Sequence, residues 1–235
     1  MFYSHVQSLA NGSPPVRASI KVPADKDRAI FDRIFDVAIE LAEQGGYDNV
    51  RQRDVASRAG VAIGTLYKRF RSKEDILSAA LERETAQLER KFDKLPVKGA
   101  NPEDRLVQFY TVLTRTLTRR PHFARAVLRA MASGQPEVAK HVLAYHGRMN
   151  AMLIATLRGG RMTYGDATAS PPTEREQTLA LLVQQNWFAS LIGWSAGTHS
   201  PSEVIEHVRM AARLLLKGME ADATDTAKEA RKSVG

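Results

Sequence analysis

The feature that most constrains the fold is the stretch from residue 50 to residue 73, which reads V-R-Q-R-D-V-A-S-R-A-G-V-A-I-G-T-L-Y-K-R-F-R-S-K. Its first part has apolar residues at helical spacing, and Gly60 follows them as a helix breaker. A second short helix is predicted from about Ala62 to Lys68, with Leu66 directed inward. Two short helices joined by a tight turn form a helix–turn–helix, whose second helix can lie in the major groove of DNA.

The positive charge of the chain is concentrated in this stretch. Residues 51–73 contain seven cations and one acid, Asp54, which gives a net charge of +6, whereas the whole chain of 235 residues has a net charge of +8. A charge excess confined to one motif indicates a polyanionic partner for that motif. A DNA-binding protein of the architectural kind, acting without a ligand, is the alternative, but its positive charge would be spread along the chain.

The residues from Asp54 to Leu77, D-V-A-S-R-A-G-V-A-I-G-T-L-Y-K-R-F-R-S-K-E-D-I-L, resemble the tetracycline-repressor (TetR) family of bacterial transcription regulators. The similarity is in register over the whole segment. It implies a DNA-binding domain followed by a helical domain that binds a small effector. Two positions depart from the usual family pattern, since Arg51 replaces a Thr or Ser and Arg69 replaces an aromatic residue or His. Both arginines can still reach a phosphate group.

The predicted DNA contacts fall into three groups, sorted by what each side chain would touch. Residues expected to approach base edges, with room for close contact at the glycine, are Ala62, Ile63, Gly64 and Thr65. Residues expected to hold phosphates are Tyr67, Lys68, Arg69 and Lys73. Residues expected to clamp the flanking backbone, or to reach one base, are Arg51 and Arg53.

The rest of the chain has helical apolar periodicity and no alternating pattern long enough for a strand, so we predict an all-α fold of about nine helices. A three-helix DNA-binding domain would be joined by a long helix, about Lys73 to Lys94, to a C-terminal helical domain for effector binding and dimerisation. Gly45-Gly46 should end the first helix, and Asn101 and Ser200 should cap two later ones. The predicted division is a flexible arm at 1–24, the helix–turn–helix domain at 25–71, the effector-binding and dimerisation domain at 72–220, and a flexible tail at 221–235.

The middle helices carry aromatic and methionine side chains at helical spacing. The pattern alone favours an ordinary core, but the family resemblance implies a small-molecule effector in this region. The residues expected to line such a pocket are Phe109, Leu113, Phe123, Met131, Met149, Met152 and Trp187. This lining would suit a largely apolar effector.

The last two predicted helices are apolar on more than one side, which requires burial on more than one side. Burial inside one chain is one solution, and contact with a second copy is the other. The family resemblance favours the second, because its members dimerise through their last two helices. The residues expected at a homodimer interface are Phe188, Ile192, Trp194, Val208 and Leu215.

Several classes of protein are disfavoured by the composition. The chain has no cysteine, so disulfides and thiolate chemistry are excluded. Its six histidines are scattered. The pairs Glu137/His141 and Glu203/His207 have a spacing compatible with two metal ligands, but we expect them to be surface pairs and predict no metal site or cofactor. No nucleotide-binding or hydrolase motif supports an enzyme. We expect a cytoplasmic protein, since no signal peptide or membrane-spanning segment is visible.

Two short segments carry a narrower resemblance. Residues 119–132 (R-R-P-H-F-A-R-A-V-L-R-A-M-A) and 186–194 (N-W-F-A-S-L-I-G-W) look like the actinobacterial repressors of sterol and lipid catabolism. This resemblance implies a lipid, sterol-derived or acyl-thioester effector. The sequence therefore predicts a dimeric transcriptional repressor that leaves a palindromic operator when an apolar effector binds.

Overall fold

The computed structural model describes residues 25–160 and 170–232, which form nine α-helices and no strand. The prediction of an all-helical fold, with a helix–turn–helix unit leading into a helical C-terminal domain, is confirmed. The predicted flexible arm at 1–24 and residues 161–169 lie outside the described residues. The helices are α1 (Asp25–Asn49), α2 (Gln52–Ala59), α3 (Ile63–Arg69), α4 (Lys73–Lys94), α5 (Pro102–Thr118), α6 (Pro121–Met131), α7 (Pro136–Arg158), α8 (Glu174–Ser195) and α9 (Pro201–Lys232).

The ends of the helices lie where local sequence chemistry places them. In α1 the helical conformation is interrupted at Gly45 and Gly46, and Gly46 has a φ of 71°, which favours glycine. Asn101 caps α5 by accepting a hydrogen bond from the Asp104 N–H at 2.8 Å. At α9, Ser200 accepts from the Glu203 N–H, and the Glu203 carboxylate accepts from the Ser200 N–H, which completes a capping box.

The buried apolar side chains form two clusters. The N-terminal core joins α1, α2, α3, the first two turns of α4 and one face of α6, with Ile34, Leu66 and Leu77 among its most buried residues. The C-terminal core joins the second half of α4 with α5, α7, α8 and α9. Because α4 contributes to both cores, a displacement of this helix would be felt in both.

Helix α6 packs along α1 and belongs mainly to the N-terminal core, although it lies in the C-terminal half of the chain. Its buried residues there include Ala126 and Val127, together with Phe123, whose N–H donates to the Glu43 carboxylate at 3.0 Å. Apolar contacts of the N-terminal core thus continue through residue 80 and include α6. The domain boundary at 71/72 stays a prediction.

The C-terminal helix differs from the sequence expectation. The backbone of α9 continues past residue 221, where we predicted a flexible tail, and remains helical to Lys232. The segment between these positions contains no proline or glycine and several alanines, so its local preference is helical. Among the described residues, no helix is both long enough and apolar enough to span a membrane.

Candidate nucleic-acid interface and effector region

The turn between α2 and α3 is fixed by one glycine and one buried leucine. Gly60 has a φ of 66° and a ψ of 39°, the left-handed conformation that ends a helix without steric cost in glycine. Next to it, the Val61 N–H donates to the Ala56 carbonyl at 2.9 Å. Leu66 is fully buried, and burial of such a side chain contributes roughly 1.5–3 kcal/mol. These contacts hold α3 against α1 and α2, with the other side of α3 outward.

The outward side of α3 contains the residues predicted to meet DNA. Ile63 is 37% exposed and Tyr67 is 48% exposed, and Thr65 and Lys68 are exposed beside them. A Cβ atom built on Gly64 would have no other atom of the described chain within 4 Å, so packing within the chain does not require glycine there. This face therefore combines apolar, hydroxyl and cationic groups that residues 25–160 and 170–232 leave exposed.

The predicted cationic contacts are of two kinds. Arg51 and Arg53 are exposed at the start of α2, and Arg51 occupies the N-cap position without a side-chain cap. Arg69 is exposed, with its guanidinium 5.0 Å from the centre of the Phe31 ring. Lys73 is different, because its ammonium group donates to the Tyr47 carbonyl at 3.2 Å and its side chain is only 26% exposed. Lys73 is thus held in place at the start of α4.

Tyr47 gathers charged groups from three helices. The Lys73 ammonium lies 3.8 Å from the centre of the Tyr47 ring, and the Arg129 guanidinium lies 4.0 Å from it. Asp48 is 3.7 Å from the Lys73 nitrogen and 3.3 Å from the Arg129 nitrogen, and the Tyr47 hydroxyl donates to Glu74. The position of Arg129 of α6 beside Asp48 was not predictable from local sequence, because the two residues are 81 positions apart.

The first turn of α4 is tied to α7 by a buried carboxylate. Ser72 accepts from the Asp75 N–H at 3.2 Å, and Asp75 in turn accepts from the Arg71 N–H at 3.0 Å. The same carboxylate lies 2.9 Å from Nε2 of His141 and 3.3 Å from the ammonium of Lys140. The prediction that His141 forms a surface pair with Glu137 is wrong, because His141 contacts α4 instead.

Most of the predicted effector-site residues lie together in the C-terminal core. The members of that core are Phe109, Leu113, Met149, Met152 and Trp187, all of them buried. Met131 is half-buried and packs against both cores. Phe123 belongs to the N-terminal core, which corrects the prediction that it lines the effector site with the others. The cause is that α6 turns its apolar face toward α1 and α4.

A polar group that the prediction did not include lies in the same core. Tyr110 is fully buried, and its hydroxyl has no hydrogen-bond partner among the described residues. Its ring is 5.2 Å from that of Trp187, whose indole N–H donates to the Thr114 hydroxyl at 2.9 Å. Burial, with a smaller contribution from Tyr145, raises the pKa of Tyr110 well above its ordinary value. A tyrosine in an otherwise apolar helix face is the sequence signal that could have identified it.

A surface hollow of about 400 Å³ adjoins this core, between the end of α4 and α5. Phe92 belongs both to the hollow and to the C-terminal core, where its ring is 5.0 Å from that of Phe109. At the rim, Leu95 is 79% exposed. None of the seven predicted effector residues lines this hollow.

Of the five predicted dimer residues, two are buried within one chain and three are at least partly exposed. Val208 is 0% exposed and Trp194 is 7% exposed, with the Arg125 guanidinium 5.0 Å from the Trp194 ring. Neither can present appreciable area to a partner, which corrects their assignment to the interface. Both are covered because α8, α9, α5 and α6 pack around them. Ile192 is 39% exposed, and Phe188 and Leu215 are half-buried.

Exposed apolar residues that we had not assigned to the interface lie on the same two helices. The exposed positions of α8 recur every three or four residues, as expected for one face of a helix. From Leu182 onward they are Leu182, Gln185, Ala189 and Ile192, of which Gln185 is polar and Ile192 was already assigned to the interface. On α9, Met210 is 61% exposed and Leu214 is 65% exposed, four residues apart. These two faces together form what we call the α8–α9 apolar surface.

Comparison with known sequences identifies both parts of the chain. Residues 34–80 match the bacterial regulatory proteins of the tetR family, and residues 99–215 match the tetracyclin repressor-like C-terminal domain. The chain is 31% identical over 216 residues to the HTH-type transcriptional repressor KstR of Mycobacterium tuberculosis, covering 89% of this chain and 94% of the relative. It is 32% identical to KstR of Mycolicibacterium smegmatis, covering 86% and 94%. The narrower resemblance to actinobacterial repressors is confirmed.

Comparison with solved structures agrees with the sequence matches. A TetR transcriptional regulator from Rhodococcus sp. RHA1 superposes with a TM-score of 0.69 at 27% identity, over 81% of this chain and 97% of that one. FadR of Thermus thermophilus, a TetR-family repressor solved in complex with lauroyl-CoA, superposes with a TM-score of 0.61 at 22% identity, over 80% and 94%. At that identity the second likeness shows the fold alone.

Proposed function

This chain belongs to the TetR family of bacterial regulatory proteins, and from that premise we propose that it is a dimeric repressor released from a palindromic operator by a largely apolar effector. The observation that carries the proposal is the exposed face of α3. Ile63, Thr65, Tyr67 and Lys68 are uncovered on a short helix whose position is fixed by Leu66. A helix presented in this way can enter the major groove, where hydroxyl and methyl groups distinguish bases.

Charge supports the same placement. The cations of residues 51–73 flank α3 on both sides, and Arg51, Arg53 and Lys68 are exposed. Phosphate contacts fix the register of a protein on DNA, whereas base contacts give specificity. In this proposal Thr65 and its neighbours at 62–64 face bases, and the cations and Tyr67 face phosphates. Lys73 would exchange its contact with Asp48 for a phosphate.

A second copy of the chain is the proposed occupant of the α8–α9 apolar surface. Leu182, Ile192, Met210 and Leu214 are large apolar side chains left 39–65% exposed on two helices that pack against each other. Exposed apolar patches of this kind mark interaction sites. A two-fold dimer would use the same surface twice and would present two copies of α3 to successive half-sites.

The proposed effector is a largely apolar molecule with at least one polar group. The C-terminal core supplies the apolar surroundings through Phe109, Met149 and Met152. The Tyr110 hydroxyl, buried with no hydrogen-bond partner in the described part of the chain, supplies a polar group whose desolvation costs about 1–3 kcal/mol unless something bonds it. A carbonyl or hydroxyl on an acyl-thioester, lipid or sterol-derived effector would satisfy it. Because the likeness to FadR shows only the fold, this proposal depends on the residues of the core.

The division between base contacts and phosphate contacts is tested by two substitutions on α3. We expect Tyr67→Phe to weaken binding to all DNA sequences by a similar factor, about 3- to 10-fold for each lost hydrogen bond and so about 10- to 100-fold in a dimer that loses two. We expect Thr65→Ala to change the preferred base within each half-site, because it removes a hydroxyl and a methyl group from the major groove. Both side chains are exposed, so neither change should unfold the domain.

The measurement is selection of binding sites from random duplex DNA with the wild-type protein and both variants, followed by affinity measurements on the selected sites. An unchanged base preference for Thr65→Ala would show that specificity lies elsewhere, for example at Arg53. Ser57→Ala, an exposed hydroxyl on α2 that is not assigned to a base contact, serves as the matched control.

A further inference from the structure

Three acids of α4 face α7 in a regular row. Asp75, Glu82 and Glu89 are spaced seven residues apart, and seven residues are close to two helical turns, so the three carboxylates lie along one side of α4. Asp75 is 1% exposed and Glu89 is 8% exposed. We call these three residues the α4 acid row. Buried carboxylates require partners, and each acid of the row has a basic side-chain partner on α7.

The partners are three basic residues of α7. Arg148 forms an ion pair with Glu89, and Lys140 lies 3.3 Å from Asp75. His141 lies between Asp75 and Glu82, with its Nε2 2.9 Å from Asp75 Oδ1 and its Nδ1 2.9 Å from Glu82 Oε2. The His141 side chain is only 13% exposed. Helices α4 and α7 are therefore connected by a charged seam as well as by apolar packing.

The geometry determines the protonation state of His141. A neutral imidazole donates from one ring nitrogen and accepts at the other, but an ionised carboxylate can only accept. Because both nitrogens lie at hydrogen-bond distance from carboxylates, both must carry a proton for both bonds to form. Protonation of His141 also neutralises the net charge of this group, because the three positive charges of Lys140, His141 and Arg148 then match the three negative charges of the α4 acid row.

The pKa directions agree with this state. Burial acts to lower the pKa of His141, but hydrogen bonds to Asp75 and Glu82 outweigh burial and raise the pKa above its ordinary value. Burial acts to raise the pKa of Asp75, but its hydrogen bonds with His141 and with the Arg71 N–H hold the pKa below its ordinary value. Among the described residues, the charged groups facing His141 are Asp75 and Glu82 on α4 and Lys140 on α7.

The location connects this pair to the DNA-binding surface. Asp75 accepts from the backbone N–H of Arg71, which lies in the turn between α3 and α4. The Asp75 carboxylate therefore accepts a hydrogen bond from the α3–α4 turn at one oxygen and contacts His141 and Lys140 of α7 at the other. Deprotonation of His141 would leave a ring lone pair facing a carboxylate and would weaken the link between α7 and this turn.

We propose that protonated His141 is a positioning residue for DNA binding, linking α7 of the effector-binding domain to the α3–α4 turn through Asp75. This inference rests on the proposed function. The sign follows from the direction of the pKa shift. A group whose pKa is raised in the folded state contributes its stabilisation at low pH and loses it as pH rises through the raised value. Here the two states compared are the chain with the α7–turn link formed, which binds operator, and the chain with the link broken. Because the link raises the pKa of His141, operator affinity should be highest near pH 6 and should fall as pH rises through that pKa.

The test measures operator affinity from pH 6 to pH 9 for wild type, His141→Gln and His141→Arg. We expect wild-type affinity to fall over this range by about 5- to 150-fold, the usual size of coupling between sites. His141→Gln should have a flat profile, at the low affinity that wild type approaches at the high end of this pH range. His141→Arg, which keeps the charge and two donors, should restore affinity with a flat profile. His122→Gln, an exposed histidine on α6, should behave as wild type.

A purely structural role for His141 would give a different pattern. The wild-type pH dependence would persist in His141→Gln, and that result would overturn the proposal. The free energy of unfolding without DNA gives an independent reading. The difference between wild type and His141→Gln should be largest at pH 6 and shrink as pH rises, and a difference that is constant with pH would also overturn it. Absence of sequence-specific DNA binding by wild type at every pH would instead overturn the proposed function, and this inference with it.

Discussion

Affinity for a selected operator is expected to fall about 10³- to 10⁵-fold when salt is raised from 50 to 200 mM, if the dimer makes roughly 6–10 phosphate contacts. The reason is the release of condensed counterions from DNA by the cations of residues 51–73, which carry a net charge of +6 per chain. Arg51, Arg53 and Lys68 are exposed and able to make such contacts in each subunit. Anisotropy titrations at several salt concentrations measure the slope.

Substitutions make this prediction specific to the motif. Removing one phosphate contact lowers the salt slope by about one, so Lys68→Ala should lower it by about two in a dimer that carries the change twice. Lys91→Ala, an exposed lysine in the last turn of α4, should leave the slope unchanged. A nearly flat salt dependence for wild type, or equal effects of the two substitutions, would contradict the assignment of the motif to DNA.

Disruption of the dimer is the second large effect. We expect Leu214→Asp to raise the dimer dissociation constant by at least about 10²-fold, because an unpaired carboxylate would be buried twice across a two-fold interface. Leu214 is 65% exposed in one chain, so the substitution should leave the folded monomer intact. Sedimentation from nanomolar to micromolar concentration measures the equilibrium, and operator affinity should fall in parallel.

Leu143→Asp is the matched control, since Leu143 is a leucine 59% exposed on α7, outside the α8–α9 apolar surface. It should leave both dimerisation and operator affinity unchanged. A wild-type chain that remains monomeric at micromolar concentration, yet binds a palindrome tightly, would contradict the dimer proposal. So would a Leu214→Asp variant that sediments as wild type does.

Features set by neighbouring residues were predictable from the sequence. The caps at Asn101 and Ser200 and the interruption at Gly45-Gly46 depend on side chains and backbone conformations within three or four residues. The helix–turn–helix was predictable for the same reason, since Gly60 and Leu66 determine the turn and the inward face. The exposure of α3 followed directly from this pattern.

Features set by distant contacts were not predictable. The apolar stripe of α6 predicted burial but could not say that its neighbours would be α1 and α4, which is why Phe123 was assigned to the wrong core. The same ambiguity affected Val208 and Trp194, because an apolar face can be covered either by its own chain or by a partner. Their burial depends on how α5, α8 and α9 pack together.

The charged seam between α4 and α7 had a partial sequence signal. The seven-residue spacing of the α4 acid row is visible in the sequence, but it does not show whether that side of the helix faces water or another helix. His141 was therefore compared only with Glu137, four residues away, whereas its partners are 59 and 66 residues away. Pairing over such distances depends on the packing of whole helices.

Effector binding and operator binding should oppose each other in this protein, and reciprocal titration tests that opposition most directly. The probe is whatever small molecule is found by mass spectrometry to copurify with the chain. Linkage requires that the factor by which this molecule lowers operator affinity equals the factor by which operator lowers its own affinity. We expect equal factors, about 5- to 150-fold each, measured by calorimetry with and without operator. Equal affinity for the small molecule in both titrations would contradict it.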